Sequence, residues 1–267
     1  MSFTEHNVNG VIFDTAGTLS VGGVRHAFTT RHGGVSPAPF DSLNLASNRG
    51  DREENILENY RRLGAAVGFD ASRAVGCRQI HSDLVRVARE EDAGKIRWDE
   101  RPYDADALIT NVPNLPLFAY GTDCCMITVY DPTSRSIAAI HAGWPGTVKR
   151  ITHHTVSRLI EREGLDARTV QVWIGPCIHQ PSFQIKEDVI AQIRALPFDT
   201  SPYLQMQADG IALADNVGLN VHMLRASGIP AEHIFISKQD TCAGGEAFFS
   251  YRRDRCKGRH FSFLYKK

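Results

Sequence analysis

The feature that most restricts the fold is a pair of short runs, Cys124 to Tyr130 and Ile137 to His141, rich in apolar and β-branched side chains and separated by Asp131-Pro132-Thr133-Ser134. Asp followed by Pro is turn chemistry, so the stretch reads as a β-hairpin. With Pro132 and Thr133 as the central turn residues, Asp131 pairs with Ser134 and Cys124 falls opposite His141. Opposed residues share a face, their Cβ atoms about 4.5–5.5 Å apart. A thiol and an imidazole at that spacing suit a shared metal ion or a nucleophile beside its base. They equally suit a buried Cys and a satisfied core His.

The rest of the chain bounds what such a hairpin can serve. At 267 residues a large core can be buried, and no repeat of 20–50 residues, low-complexity tract or clear linker divides it, so one domain over 1–267 is expected. Thirty Lys and Arg against thirty Asp and Glu leave no net charge, hence no electrostatic footprint for nucleic acid or an anionic membrane. The start lacks the basic and apolar run of a signal peptide, and no stretch reaches the roughly 20 apolar residues of a membrane span. A cytosolic protein acting as a monomer is the expectation. Six cysteines (77, 124, 125, 177, 242, 256) form no Cys-x-x-Cys pair and should be thiols in a reducing compartment.

In chain order, Val11 to Leu19 places Asp14 in an Asp-x-x-Gly-Thr-Leu setting like the nucleophile loop of haloacid-dehalogenase-type phosphatases. No convincing downstream acidic Mg²⁺ pair accompanies it, so a hairpin turning through Gly22-Gly23 into a strand Val24 to Thr30 is expected instead. Arg31, entering Gly33-Gly34, can grip a phosphate or carboxylate, and Asn44 can read a ligand or merely shape a turn. Asp51 through Val67 repeats apolar residues at helical steps before Gly68. His81 stands at a junction before the strand Leu84 to Val87, where a surface or capping role is the ordinary one. Trp144 opens a helix expected to run to about Gly164, with His153 and His154 about 100° apart on its polar side and thus unable to share an ion. Ile211 to Ser227 reads as a helix, and Ile234 to Ile236 as a strand. Arg252 and Arg253 beside Phe248, Phe249 and Tyr251 suit an anionic or planar ligand, or an ion pair with Asp254.

Taken in order, Phe28-Thr29-Thr30-Arg31 with Gly33-Gly34-Val35-Ser36, Leu43-Asn44-Leu45, Gln79-x-His81, Asp106-Ala107-Leu108-Ile109-Thr110, Asp123-Cys124, His141-Ala142-Gly143-Trp144-x-Gly146, Gly175-Pro176-Cys177-Ile178 and Phe248 to Arg253 resemble the YfiH family. This family is also called the laccase-domain or polyphenol oxidoreductase family. The resemblance spans roughly residues 24 to 265. It implies an α+β fold, a single α/β/β/α layered sandwich with mixed sheets, and metal ligands at His81, Cys124 and His141. Three departures stand out: Gly121-Thr122 where the family usually has Thr-Ala, Pro145 where it often has Arg, and Cys242-Ala243 where it has Cys-Thr. The ligand positions survive all three.

The resemblance further implies zinc-dependent purine nucleoside chemistry: phosphorolysis of adenosine, inosine, guanosine and methylthioadenosine, and adenosine deamination. One Cys and two His leave a zinc coordination position open, the arrangement of a catalytic site that activates water. Arg31 and Arg252 are then candidate phosphate binders, and Asp123 an acid/base or a residue that orients a ligand. Without metal, Cys124 and His141 would form a hydrolase or amidase dyad, including one editing peptidoglycan precursors. Copper oxidation of phenols would ordinarily need more His ligands than these.

Overall fold

The computed structural model describes residues 3–17 and 23–266. Two sheets form its centre. The first contains β1 (Phe3–Val8), β2 (Val11–Ala16), β3 (Val24–Thr29), β6 (Leu117–Gly121) and β14 (His260–Lys266), all antiparallel, in the order β1-β2-β3-β14-β6. The second is mixed: β4 (Val85–Val87), β5 (Ala107–Thr110), β7 (Cys125–Tyr130), β8 (Ile137–Ala142), β9 (Gln171–Ile174) and β13 (Ile234–Ile236), ordered β13-β9-β7-β8-β5-β4, with parallel pairs at both edges. A small antiparallel sheet joins β10 (Gln184–Lys186), β11 (Leu204–Met206) and β12 (Ile211–Ala214). The helices are α1 (Glu53–Val67), α2 (Trp144–Val148), α3 (Ile151–Glu163), α4 (Glu187–Arg194), α5 (Asn216–Ala226) and α6 (Tyr251–Asp254). None is long and apolar enough to cross a membrane.

Side-chain alternation along the strands sets the layers. On β14, Phe261, Phe263 and Tyr265 join Phe118 and Tyr120 of β6 against Ile56, Tyr60, Leu63 and Val67 of α1. The intervening Leu264, with Leu117 and Ala119, packs on Leu108, Tyr130, Ile137, Ala139 and Trp173 of the second sheet. That sheet's far face, including Ile127, Val129, Ala138 and Ile140, lies on Ile151, Val156 and Leu159 of α3 and Val217 and Leu224 of α5. The result is α1, sheet, sheet, α3/α5: the α/β/β/α sandwich. Because β7 and β8 are covered on both faces, they read as continuous apolar runs rather than alternating ones.

Several expectations hold and others change. Helix α1 ends where Gly68 adopts φ 85° and returns its N–H to the Gly64 carbonyl, as the glycine signalled. The β7–β8 hairpin forms, but Met126, not Cys124, faces His141, a register two residues away from the expected one. The Asp131 carboxylate accepts the N–H groups of Thr133 and Ser134, and its own N–H donates to the Ser136 carbonyl. The loop is therefore two residues longer than a minimal turn. An even shift keeps Cys124 and His141 on one face, now diagonal.

The helix expected from Trp144 breaks at Arg150, which is left-handed at φ 65°, into α2 and α3. Ile211 to Ser227 is a strand and then a helix. Asp215 caps α5 by accepting the Gly218 N–H at 2.8 Å, and the apolar residues before it pair between β10 and β11. Asp14 lies within β2, opposite Phe28 of β3, as a hairpin requires; burial raises its carboxyl to about 7. Thr18, Leu19 and Gly22 of that reading lie outside the described residues.

Phe118, 1% exposed and ringed by Tyr60, Phe69, Phe261 and Phe263, should lose about 3–5 kcal/mol of stability as Phe118→Ala. Leu57→Ala, at a half-exposed position of α1, should stay within about 0.5 kcal/mol in the same urea titration.

Candidate metal centre

His141 and Cys124 lie on the face of β7 and β8 that looks toward the first sheet, at the end of the interlayer where the packing opens into a cavity. His81 arrives from the 79–82 loop. The Gln79 side chain anchors that loop to β6: its amide donates to the Tyr120 carbonyl and its oxygen accepts the Tyr120 N–H, both at 2.7 Å. The imidazole and thiol donor atoms of His81, Cys124 and His141 lie within 4.8 Å of one another. The His81 and His141 rings meet edge to face, centroids 4.8 Å apart. Gly143 leaves room for them: a Cβ there would sit 2.9 Å from His81 Cδ2 and 3.0 Å from Cys124 Sγ.

Asp106, just before β5, organises this geometry. Its buried carboxylate takes His141 Nδ1 at 2.8 Å, the N–H groups of Ile80, His81 and Ser82 at 3.2, 3.1 and 2.6 Å, and the Ser82 hydroxyl at 2.7 Å. Placing the His141 Nδ1 proton toward Asp106 leaves Nε2 for the thiol or an ion. Lys149 of the α2–α3 junction donates to the His81 carbonyl. His81 itself is held left-handed at φ 56°, a conformation that costs a non-glycine residue about 1–2 kcal/mol.

The electrostatics follow from burial and these partners. Burial alone would raise the Cys124 thiol, but the charge of His141 and hydrogen bonds from His141 and His81 outweigh it and bring it down to about 6. Burial disfavours the His141 imidazolium, yet Cys124 and the Asp106 carboxylate raise it to about 9. Asp106 is held below the usual carboxylate range although burial opposes this, through His141 and Ser82. Cys177, by contrast, is pushed well above the ordinary thiol value by its contact with Cys125 and by burial. The signs agree on one window. A depressed Cys124 contributes stability that disappears as pH falls through about 6, and a raised His141 contributes stability that disappears as pH rises through about 9.

A cavity of about 690 Å³ opens above the trio. Trp98, Tyr120, Trp144, Ile178 and Phe183 supply apolar wall, and Arg49, Arg101, Arg252 and Arg259 supply positive charge. Asp123, at φ 74°, lines it too. Both its carboxylate oxygens are engaged, Oδ1 by the Thr241 hydroxyl at 2.7 Å and Oδ2 by the Arg252 N–H at 2.8 Å. Asp123 thus ties the C-terminal segment to the Cys124 turn.

Of the three residues expected to bind substrate, Arg252 alone is on the wall. Its Nη1 donates to the Ser182 and Gln184 carbonyls. Arg31 lies elsewhere, donating to the Asp41 main chain and carboxylate and stacking over Phe249. Asn44 is fully buried, with Nδ2 on Asp51 at 2.9 Å and Oδ1 accepting the Arg259 N–H at 3.1 Å. Sequence reading assigned no role to Asp106, Arg49 or Arg259. A charged residue directly before a buried apolar strand was the readable signal for Asp106; Arg49 carried none.

A family model described as multi-copper polyphenol oxidoreductase laccase matches residues 25–267. Among curated relatives, the purine nucleoside phosphorylase YlmD of Bacillus subtilis is 32% identical over 243 residues, 89% of this chain and 86% of that one. A purine nucleoside phosphorylase of Deinococcus radiodurans is 35% identical over 232 residues, 86% and 84% of the two chains. The crystal structure of the hypothetical protein YfiH of Bacillus licheniformis superposes with a TM-score of 0.91 at 30% identity, covering 97% of each chain.

Replacing Asp106 by Asn turns an acceptor of five donors into an amide. Metal affinity, read by competition with a chelator, should fall about 10- to 100-fold. In metal-free protein, iodoacetamide alkylation of Cys124, followed by peptide mass spectrometry, should rise through a midpoint near pH 6. A midpoint near the ordinary value of about 8.5 would remove the thiolate from the description.

Proposed function

This chain belongs to the YfiH, or laccase-domain, family, and we propose that it is a zinc-dependent purine nucleoside phosphorylase. The proposed substrates are adenosine, inosine, guanosine and methylthioadenosine, and adenosine deamination is proposed as a second reaction. The observation that carries this reading is the His81, Cys124 and His141 group at the floor of a cavity walled by aromatic and cationic side chains. The donor set fits a borderline-soft ion. One thiolate and two neutral imidazoles are zinc ligands, and their donor atoms already converge to within 4.8 Å of one another. Bound there, the ion would supply a Lewis-acid charge beside the substrate.

The chain's own groups do the remaining work. Asp106 fixes the His141 tautomer and the His81 loop. Trp98, Tyr120, Trp144 and Phe183 offer flat apolar surface for a purine. In phosphorolysis a phosphate oxygen bonds to C1′ of the ribose as the C1′–N bond breaks. The purine leaves with the bonding pair and gains a proton, and the negative charge in motion lies among cationic side chains. Asp123, whose two oxygens are both occupied, acts in this scheme by orienting the Cys124 turn.

A second reading has one observation in its favour. A Cys124 thiolate beside a His141 imidazolium is the resting state of a nucleophilic dyad, which would hydrolyse amides without metal. The family's descriptive name points to copper oxidation of phenols. Among the described residues a single group of three donors is present, suited to one ion, whereas multicopper chemistry needs several such groups.

Incubating adenosine with and without phosphate separates these readings. Adenine and ribose 1-phosphate should form with phosphate and not without it, and inosine should form through deamination. Formation of neither adenine nor inosine would overturn the nucleoside reading, whereas amide hydrolysis by metal-stripped protein, abolished in Cys124→Ser, would establish the dyad.

A further inference from the structure

The cavity wall carries positive charge that the chain does not neutralise. Six cationic side chains line it, Arg49, Arg101, Lys186, Arg252, Arg255 and Arg259, against the carboxylates of Asp123 and Asp188, in a chain with no net charge. Arg101 is committed elsewhere: it is buried, donates to the Ile96 and Cys77 carbonyls and lies over Tyr120. Arg252 lies over Phe183 with Nη1 on two carbonyls.

Arg259 is arranged differently. Its Nη1 donates to the carbonyls of Cys256, Lys257 and Gly258 at 3.4, 3.2 and 3.0 Å. That collar fixes one corner of the guanidinium. The Nε–Nη2 edge, one of the two edges by which an arginine can hold two oxygens of one oxyanion, has no partner among the described residues. The backbone behind it is rigid. The Arg259 N–H donates to Asn44, Asn44 is locked by Asp51, and the Thr122 hydroxyl donates to the Gly258 carbonyl at 2.8 Å.

Arg49 approaches from the loop that follows Asn44 and makes no hydrogen bond or ion pair among the described residues. Burial and then the like charge of Arg49 hold Arg259 below the ordinary arginine range, while Cys124 and Asp123 act on it in the opposite sense. Two guanidinium groups are therefore kept within each other's field, one of them half-buried, on the wall of the cavity that His81, Cys124 and His141 also line. An oxyanion received between them would meet both charges at once.

We propose that Arg49 and Arg259 form the subsite for inorganic phosphate, the Nε–Nη2 edge of Arg259 taking two of its oxygens and Arg49 closing on a third. The inference deepens the phosphorylase reading and rests on it for the identity of the oxyanion. It moves the phosphate away from Arg31, which is not on the wall.

The test uses the metal-loaded full chain as parent, Arg49→Ala and Arg259→Gln. Inorganic phosphate is titrated calorimetrically without nucleoside, and the Michaelis constants for phosphate and inosine are measured separately. Arg259→Gln should weaken phosphate binding and raise the phosphate KM about 10- to 100-fold, and Arg49→Ala about 3- to 10-fold, with the inosine KM within about twofold of the parent. Arg49 is exposed and has no protein partner, so its variant remains informative if Arg259→Gln fails to fold. Phosphate binding unchanged in both variants, a parent that binds no phosphate, or a loss confined to the inosine KM would each overturn the proposal. A parent that binds phosphate through these arginines but cleaves no nucleoside would instead overturn the phosphorylase reading and leave the oxyanion subsite standing.

Discussion

The hydrogen bonds converging on the Asp106 carboxylate are what the candidate centre depends on. A buried carboxylate is costly unless its lone pairs are filled, and here three main-chain N–H groups, a hydroxyl and an imidazole fill them. Withdrawing any one donor leaves a buried charge less satisfied, so the 79–82 loop and the end of β8 cannot separate cheaply. One anion thereby holds two histidines from distant segments in a single arrangement, and it stabilises a left-handed His81 that local preference disfavours.

The sheets explain why the centre lies where it does. Covered on both faces, β7 and β8 have no solvent side on which a polar residue could be placed at no cost. A thiol and an imidazole can be tolerated at the strand ends, where the two sheets stop packing and the cavity begins. The second sheet's far side then serves the site from behind. Asn216 of α5 donates to the Ala142 carbonyl, and Asn220 donates to the Thr147 hydroxyl. These buried contacts fix the chain on either side of Gly143, whose missing Cβ leaves space for the His81 ring and the Cys124 sulfur.

Much of this was legible in the residues, for identifiable reasons. Helix α1 and its Gly68 cap are local, and the Cys124–His141 pairing survived a wrong register because the error was even. The strand β12 was hidden because Ile211 to Ala214 has no Gly or Pro between it and α5; Asp215 as a cap was the available sign. Neighbours remote in sequence decide the rest. Arg31 looked like an anion binder and is held by Asp41, whereas Arg259 looked ordinary and acquires its free edge from a collar of three carbonyls. His81 has no periodicity to mark it, and family resemblance rather than spacing singled it out.

The hydrogen bond from the Arg259 N–H to Asn44 spans 215 positions of sequence, and this has a consequence for assembly during synthesis. His81, Asp106, Cys124 and His141 have all left the ribosome well before Arg259 exists. The His81, Cys124 and His141 group and its organising carboxylate are encoded in one middle segment, while of the wall's arginines Arg49 and Arg101 come early and Arg259 only with the last strand, which closes against β3 and β6. Arg49 and Arg259 therefore come to share one wall only once β14 is in place, whereas every member of the trio is encoded before residue 142.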